Sequence, residues 1–388
     1  MAQAPVAHDD WDPRAPEVLA DQLAAYDALR GRCPVAHSGH LGWTLLRHAD
    51  VVAAAGDHET FSNVVSSRVS VPNGMDPPEH SAHRAVNERY FTTERMAAFE
   101  PTCRAIAAGL VADLPRGGPT EVMEPLARAF ALRVQSAFMG WPTELEGPLR
   151  AWTLRNQRAT ATRDPEALAS VALEFDGHIR QLIAARRQAA GVGAEARAGD
   201  LTAELLTERV DGRPLSEEEL VSLIRNWTVG ELSTIAASVG ILVHALADRP
   251  QVQELLRSDA GARPAAVDEL LRIHPPLVAN RRRATRDVQV GGRHIPAGAP
   301  VTLLWASANR DEAVTGDPDE FRLDRDPGDN LLYGTGIHAC PGAPLARLEL
   351  QVLVAELLAG TSHIGPVEHA TPAQYPASGY SALVVAIR

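Results

Sequence analysis

The sequence predicts a mainly α fold, a large helical domain with a long central helix and small β-sheets at its edge. Three observations point there. Apolar residues recur at helical spacing over nine separate stretches. Strand-like runs are few and short, and neither a βαβ alternation nor a repeat of about 20–50 residues is present.

Residues 1–15 are expected to be a disordered N-terminus, followed by a single domain over 16–388. Helical patterns run near 16–31, 79–90, 94–113, 121–139, 143–158 and 165–190. The stretch "GVGAEARAGD" (191–200) then reads as a flexible surface loop. The next helix, 216–247, opens with Ser216 and Glu219 in capping-box spacing and stops before Pro250. About 32 residues at ~1.5 Å rise make it roughly 48 Å long, and its second half is apolar nearly all round. It must therefore pass through the core, where Asn226, Glu231, Ser233 and Thr234 are costly unless they serve something. Helices near 263–273 and 342–360 follow. The strand-like runs are "GWTLLR" (42–47), "VQVGG" (288–292), "APVTLLWA" (299–306) and "SALVVAI" (381–387).

Composition removes several function classes. The chain has 388 residues, 45% of them hydrophobic, and a net charge of −12 that argues against a nucleic-acid partner. The opening "MAQAPVAHDDWDPRAPE" has neither the basic nor the apolar region of a signal peptide. The longest largely apolar stretch, Ile235–Ala247, is interrupted by His244 and is too short to span a bilayer. A cytoplasmic protein with no membrane partner is expected. Cys33, Cys103 and Cys340 lie far apart, which excludes a Cys₄ zinc or iron–sulfur site and a disulfide framework. All 37 basic residues are arginine, so Walker-A phosphate binding, Schiff-base chemistry and Ser–Lys catalysis are excluded. Neither GxSxG nor HExxH occurs.

The most informative segment is "YGTGIHACPGAPLARLELQVLVAELL" (333–358). Pro341 suits a first helical turn, and Leu345, Leu348, Val352 and Leu353 give the helix an apolar face. Cys340 is thus expected at the positive end of a helix dipole, a setting that favours thiolate. Gly334, Gly336 and Gly342 remove side chains where the backbone turns tightly or something large approaches. Such a thiolate suits a nucleophile, a redox thiol or a metal ligand.

Four segments in order select among these: "DPPEHSAHR", the long helix with "GELST", "ELLRIHPP" and "YGTGIHACPGAPLAR". Glu269 follows Thr234 by 35 residues, and Cys340 follows Glu269 by 71. With these motifs and separations the chain resembles bacterial cytochromes P-450, the haem-thiolate monooxygenases, over nearly its whole length. The resemblance implies that Cys340 is the axial thiolate on the iron of haem b (iron protoporphyrin IX). It implies that His80, Arg84, His338 and Arg282 hold the haem propionates, with Arg281 or Arg283 as substitutes for Arg282. Tyr333, Gly334 and Gly342 belong to the cysteine loop, where Tyr333 replaces the commoner Phe. Glu269 and Arg272, three apart on one helix face, match the family's structural ion pair. Its usual third member is missing at "PDEF" (318–321), and Arg325 is the candidate replacement. His83 and His244 match no motif and read as structural.

One segment departs from the family pattern. The acid that normally precedes the oxygen-activating threonine is Ser233 here, and Glu231 occupies the usual second glycine position. Glu231 and Thr234, three apart, share nearly one helix face, so the acid has moved rather than vanished. The implied reaction is insertion of one oxygen atom of O₂ into a small apolar or aromatic molecule, by hydroxylation or O-dealkylation. Thr234, with Glu231, Ser233 or water, would supply protons. Electrons would come from an NAD(P)H-linked ferredoxin, flavodoxin-type or flavin reductase partner. "VPNGMDPPEH" and "NWTVGE" are similar to a subgroup with aryl-ether O-demethylases, which favours methoxy- or alkyl-substituted aromatics. Val229, Leu277 and Val278 are expected as pocket walls. The alternatives are an H₂O₂-driven peroxygenase on the same haem and a non-enzymatic haem-thiolate sensor.

Overall fold

The computed structural model describes residues 9–162, 164–191 and 199–388. Residues 1–8 and most of the expected loop at 191–200 lie outside that set. Residues 9–15, expected to be disordered, are instead packed down. Trp11 is buried with its ring edge against Tyr26, centroids 6.0 Å apart, and Asp10 N–H donates to His37 O.

The helical frame follows the apolar periodicity, with local corrections at residues that cap or bend the chain. The first expected helix is two, Pro16–Ala20 and Gln22–Arg32, because Asp21 turns extended and its carboxylate caps the second by accepting from Ala24 N–H. Glu79–Glu88 and Thr93–Ala112 lie as expected. The 121–139 pattern is a π-helical segment, Met123–Arg128, running into Ala129–Met139, and Gly140 ends it in the left-handed region. The 143–158 and 165–190 patterns are Glu146–Thr162 and Pro165–Gly191.

The long helix runs Glu217–Asp248, and both halves of the Ser216–Glu219 capping box are formed. It passes between the helix of the cysteine loop, Ala343–Ala359, and helices Ala129–Met139 and Arg263–Ile273. Gly240 lets it pack closely there: a Cβ at that position would sit 2.6 Å from Met123 Sδ. It is the one helix among the described residues long and apolar enough to cross a membrane, and most of its apolar window is buried inside the protein.

The sheets sit at the edge of this frame. A five-stranded sheet has the order Val35–Ser38, Gly42–Leu45, Pro300–Leu303, Asn280–Ala284, Phe61–Ser62. A three-stranded sheet pairs Ile364–Pro372 with Tyr380–Ile387, and that strand with Gly118–Glu121. The run at 299–306 is strand only to Leu303, after which Trp305–Ala308 turns helical.

Candidate active site

The cysteine loop is built as a closed turn. Cys340 N–H donates to Tyr333 O at 2.8 Å, and Gly334 N–H to Leu331 O. Gly334 and Gly336 have positive φ (69° and 72°), and a Cβ on Gly336 would lie 2.5 Å from Ala55 O. Both positions require glycine. Gly342 does not, since a Cβ there would make ordinary contacts with Phe91 and Cys340 Sγ. The helix begins at Ala343, so Pro344 rather than Pro341 occupies its first turn. The protein packed around Cys340 desolvates its thiol and pushes it up even though the side chain is open on one side, while the N–H groups of Gly342 and Ala343 pull it down. The helix terminus alone therefore does not yield the thiolate expected from the sequence; a cation would be needed. Tyr333 lies beneath the Arg347 guanidinium, 4.5 Å from its ring centroid, with its buried hydroxyl unpartnered.

On one side of this loop, basic groups converge. The His80 and His338 rings lie 4.3 Å apart. Both His80 ring nitrogens and His338 Nε2 are buried without a hydrogen-bond partner among the described residues. Sheet alternation resolves the three arginines, because Arg282 shares the register of Val301 and points inward. Arg282 is 5% exposed, whereas Arg281 and Arg283 face outward. Among the described residues its only hydrogen bond is to Arg281 O, and burial lowers its pKa to about 10. Burial, then His80 and Arg282, hold His338 down at about 3, and burial likewise lowers His80. Arg84 is engaged already: Nη1 donates to Ala339 O at 2.6 Å and Nε to Glu88.

The middle of the long helix presents one open stripe. Val229, Gly230 and Ser233 are exposed, and Thr234 and Ala237 half-buried, at positions sharing a helix face. Thr234 Oγ1 donates to Gly230 O at 2.6 Å, and Ser233 Oγ to Val229 O at 2.9 Å. Glu231 lies off this stripe. Its carboxyl acts on that of Glu349 on the cysteine helix, and Glu231 Oε1 and both Glu349 oxygens are buried without a hydrogen-bond partner among the described residues. Leu277 is open, whereas Val278 is 3% exposed and packs beside Tyr26 and Leu304. Alternation along this extended segment turns the two side chains opposite ways, so Val278 is corrected from wall to core.

Glu269 accepts from Arg272 Nε at 2.7 Å and Nη2 at 3.0 Å, and from Arg325 Nε at 2.9 Å. All three are largely buried, and Arg272 and Arg325 also bond carbonyls of the 309–320 segment. His83 bridges Glu79 O and Glu219, and His244 stacks on Tyr380 at 4.7 Å. Sequence reasoning missed Glu349, although an acid at a core-facing position between Leu345 and Val352 was a visible signal.

A family model, Cytochrome P450, matches residues 263–363, from the Glu269 helix to just past the cysteine helix. Nocardicin C N-oxygenase of Nocardia uniformis subsp. tsuyamanensis is 34% identical over 351 residues, covering 86% of this chain and 85% of that protein. The chain belongs to the cytochrome P450 family. Vitamin D(3) 25-hydroxylase of Pseudonocardia autotrophica is 32% identical, with 86% and 85% covered. Among solved structures, P450 CYP109Q5 from Chondromyces apiculatus superposes with a TM-score of 0.85 at 28% identity, covering 97% of this chain and 98% of that one. These P450 relatives are hydroxylases and oxygenases, and the chain is a monooxygenase. P450 chemistry takes an organic substrate, O₂ and electrons from redox partners, on a haem held by a cysteine thiolate.

The residues present fit that group. Buried donors are normally satisfied, yet among the described residues no carboxylate is hydrogen-bonded to His80, His338 or Arg282; Asp76 bears on all three only through space, its carboxyl being bonded to Ser62 Oγ–H and Asn63 N–H. Three such donors around the single carboxylate of Asp76 leave hydrogen-bonding capacity that suits the two carboxylates of a haem. In this P450 the glycine turns also leave the Cys340 side chain open.

Proposed function

We propose that Cys340 is the axial ligand of haem b, with His80, His338 and Arg282 taking the propionates. Arg84 braces the cysteine loop through Ala339 O and adds positive charge beside the same edge. Tyr333, Gly334 and Gly342 shape the loop, and Glu269, Arg272 and Arg325 pin the segment leading to it. The observation behind this reading is the His80–His338–Arg282 cluster, which no carboxylate hydrogen-bonds among the described residues, beside an open cysteine. When bound, haem supplies O₂ activation and oxygen insertion.

The protein's part is to position substrate and manage protons. Thr234 Oγ1 and Ser233 Oγ, on the open stripe, each hold a proton on a helix carbonyl and can hand it to a group above the stripe. Glu231 contributes from the flank rather than from the stripe. Val229 and Leu277 wall the substrate side, and their size and apolarity favour a small apolar or aromatic molecule. The relatives are named for compounds as different as nocardicin C and vitamin D(3), so the substrate argument rests on these walls and on the subgroup motifs. Methoxy- or alkyl-substituted aromatics are the class proposed. The electron donor is a ferredoxin, a flavodoxin-type protein or a flavin reductase. Residues 16–388 act as one haem-binding unit in the cytoplasm.

A Soret-shift screen of small alkoxy- and alkylbenzenes against macrolides and steroids tests the substrate class. A spin-state shift with the small aromatics, reduced in Val229→Phe, is expected. Shifts confined to the multi-ring compounds would contradict the proposal.

A further inference from the structure

The segment after strand Phe61–Ser62 is held firmly at two places and loosely between them. At the first, Ser62 Oγ–H and Asn63 N–H both donate to the Asp76 carboxylate, and Asn63 Nδ2 donates to Asn73 O. At the second, the long helix grips the backbone of residues 69–71. Ser222 Oγ accepts from Val71 N–H at 2.9 Å and donates to Val69 O at 3.0 Å. Arg225 Nη2 donates to Val69 O and Asn226 Nδ2 to Val71 O, each at 3.0 Å.

Residues 64–68 lie between these anchors, and all five are exposed. Most of their hydrogen bonds are local, from Val64 N–H to Ser62 Oγ, Val65 N–H to Asn63 O and Arg68 N–H to Ser66 Oγ. Val64 and Val65 are 49% and 36% exposed and join none of the hydrophobic clusters. Among the described residues, one hydrogen bond ties 64–68 to anything beyond the segment: Arg68 Nη2 donates to Asp176 Oδ2 at 2.7 Å.

Asp176, in the middle of helix Pro165–Gly191, is buried and needs a cation whether or not Arg68 is there. Arg225 of the long helix supplies one, donating from Nη1 to Asp176 Oδ1 at 2.7 Å. The two arginines therefore play different parts. The Arg225 side chain is 14% exposed and neutralises the carboxylate from inside, whereas that of Arg68 is 48% exposed and reaches it from solvent. A half-exposed ion pair is weak enough to break and re-form readily. The segment also covers something. A cavity of about 400 Å³ has Val65, Ser66 and Arg68 on one wall and Asn280, Arg282 and His338 on the other.

We propose that residues 64–68 are a flap over this cavity and that Arg68–Asp176 is its latch. When the latch breaks, 64–68 swings about Asn63 and Val69 while residues 69–71 and helix Pro165–Gly191 stay in place. Substrate and water then reach the His338–Arg282 end of the site, and closure returns Val65 to the cavity wall. The latch rests on the contacts alone, whereas its role as an entry to the site rests on the assignment of that cluster to the haem propionates.

Arg68→Gln in the holoprotein tests this, because Asp176 keeps Arg225 and no buried charge is stranded. Stopped-flow binding of 4-phenylimidazole, followed by the Soret shift, measures entry and exit. Association and dissociation rate constants should both rise about fivefold, the upper end for a half-exposed ion pair, and Kd should stay constant. Arg68→Lys keeps the charge and should restore rates towards wild type. Raising NaCl from about 0.05 to about 1 M should speed wild type and leave Arg68→Gln nearly unaffected. Hydrogen–deuterium exchange should quicken at 64–68 and stay unchanged at 69–71 and in helix Pro165–Gly191. Unchanged rates and exchange would overturn the proposal. So would a change confined to association, which reports altered affinity rather than gating, or faster exchange spread through 69–71 and that helix. A folded holoprotein with no azole shift defeats the haem assignment and leaves exchange to decide the latch. A normal shift with unchanged rates and exchange defeats this inference alone.

Discussion

Replacing Glu231 with Gln should change how stability depends on pH in a way that can be worked from the structure. Burial raises Glu231 from its ordinary 4.5 to about 7, with Glu349 opposing in part. The folded state therefore holds a proton that the unfolded chain releases, so the contribution is fully present below pH 4.5 and is lost as pH rises through about 7. A rise of that size, at about 1.36 kcal/mol per pH unit, corresponds to about 3 kcal/mol. Other groups tilt the curve too. His338 and His274, held down at about 3 and about 4 by burial, add stability as pH rises towards the ordinary histidine value. The quantity to follow is therefore the difference between Glu231→Gln and wild type, in which the histidine terms cancel; Glu349, which Glu231 pushes up, relaxes downward in the variant and adds to the difference in the same direction. Urea unfolding of both holoproteins at intervals from pH 4.5 to 8.5 measures it. Glu231→Gln should gain on wild type by about 3 kcal/mol across that window. A difference independent of pH would refute the reasoning, since it would mean that Glu231 ionises equally easily in both states.

Two substitutions address the rest of the site. Arg282→Ala removes a buried cation from the His80–His338 cluster. Losing one partner of a buried ion pair costs on the order of 3–5 kcal/mol, so haem occupancy after purification should fall, and full occupancy would show that Arg282 is not an anchor. Thr234→Ala should keep oxygen consumption but divert reducing equivalents to peroxide. Product and peroxide per NAD(P)H oxidised measure this, and wild-type coupling would remove Thr234 from proton handling.

What the sequence disclosed was local. The Ser216–Glu219 box and the Glu269–Arg272 pair depend on spacings of three residues and are formed as read, whereas the helix after Cys340 begins at Ala343, so Pro344 takes the place expected for Pro341. Arg325 joins Glu269 as the replacement third member because the segment after Thr315, to whose carbonyl Arg325 also bonds, folds back onto helix 263–273. The rest depended on pairing across the chain. Which of Arg281, Arg282 and Arg283 points inward follows from strand 280–284, and that strand is set by its partner at 300–303 rather than by its own charged sequence. Pro250 was read as a stop, yet it also begins helix Pro250–Ser258, because proline suits a first turn. Glu231 and Thr234 do share a flank of the long helix, but a buried carboxyl turns towards whatever can share its proton. That partner, Glu349, is 118 residues away.

The assignment of Cys340 as the haem ligand is tested most directly by the absorption spectrum of the dithionite-reduced carbonyl complex. Cys103 is fully buried and Cys33 contacts Val35 O and Arg293, so neither is free to replace Cys340. The native protein should give the thiolate-type Soret band, Cys340→Ser should lose it, and Cys33→Ser and Cys103→Ser should keep it. A histidine-type band from the folded native protein, or a thiolate-type band that survives in Cys340→Ser, would contradict the account.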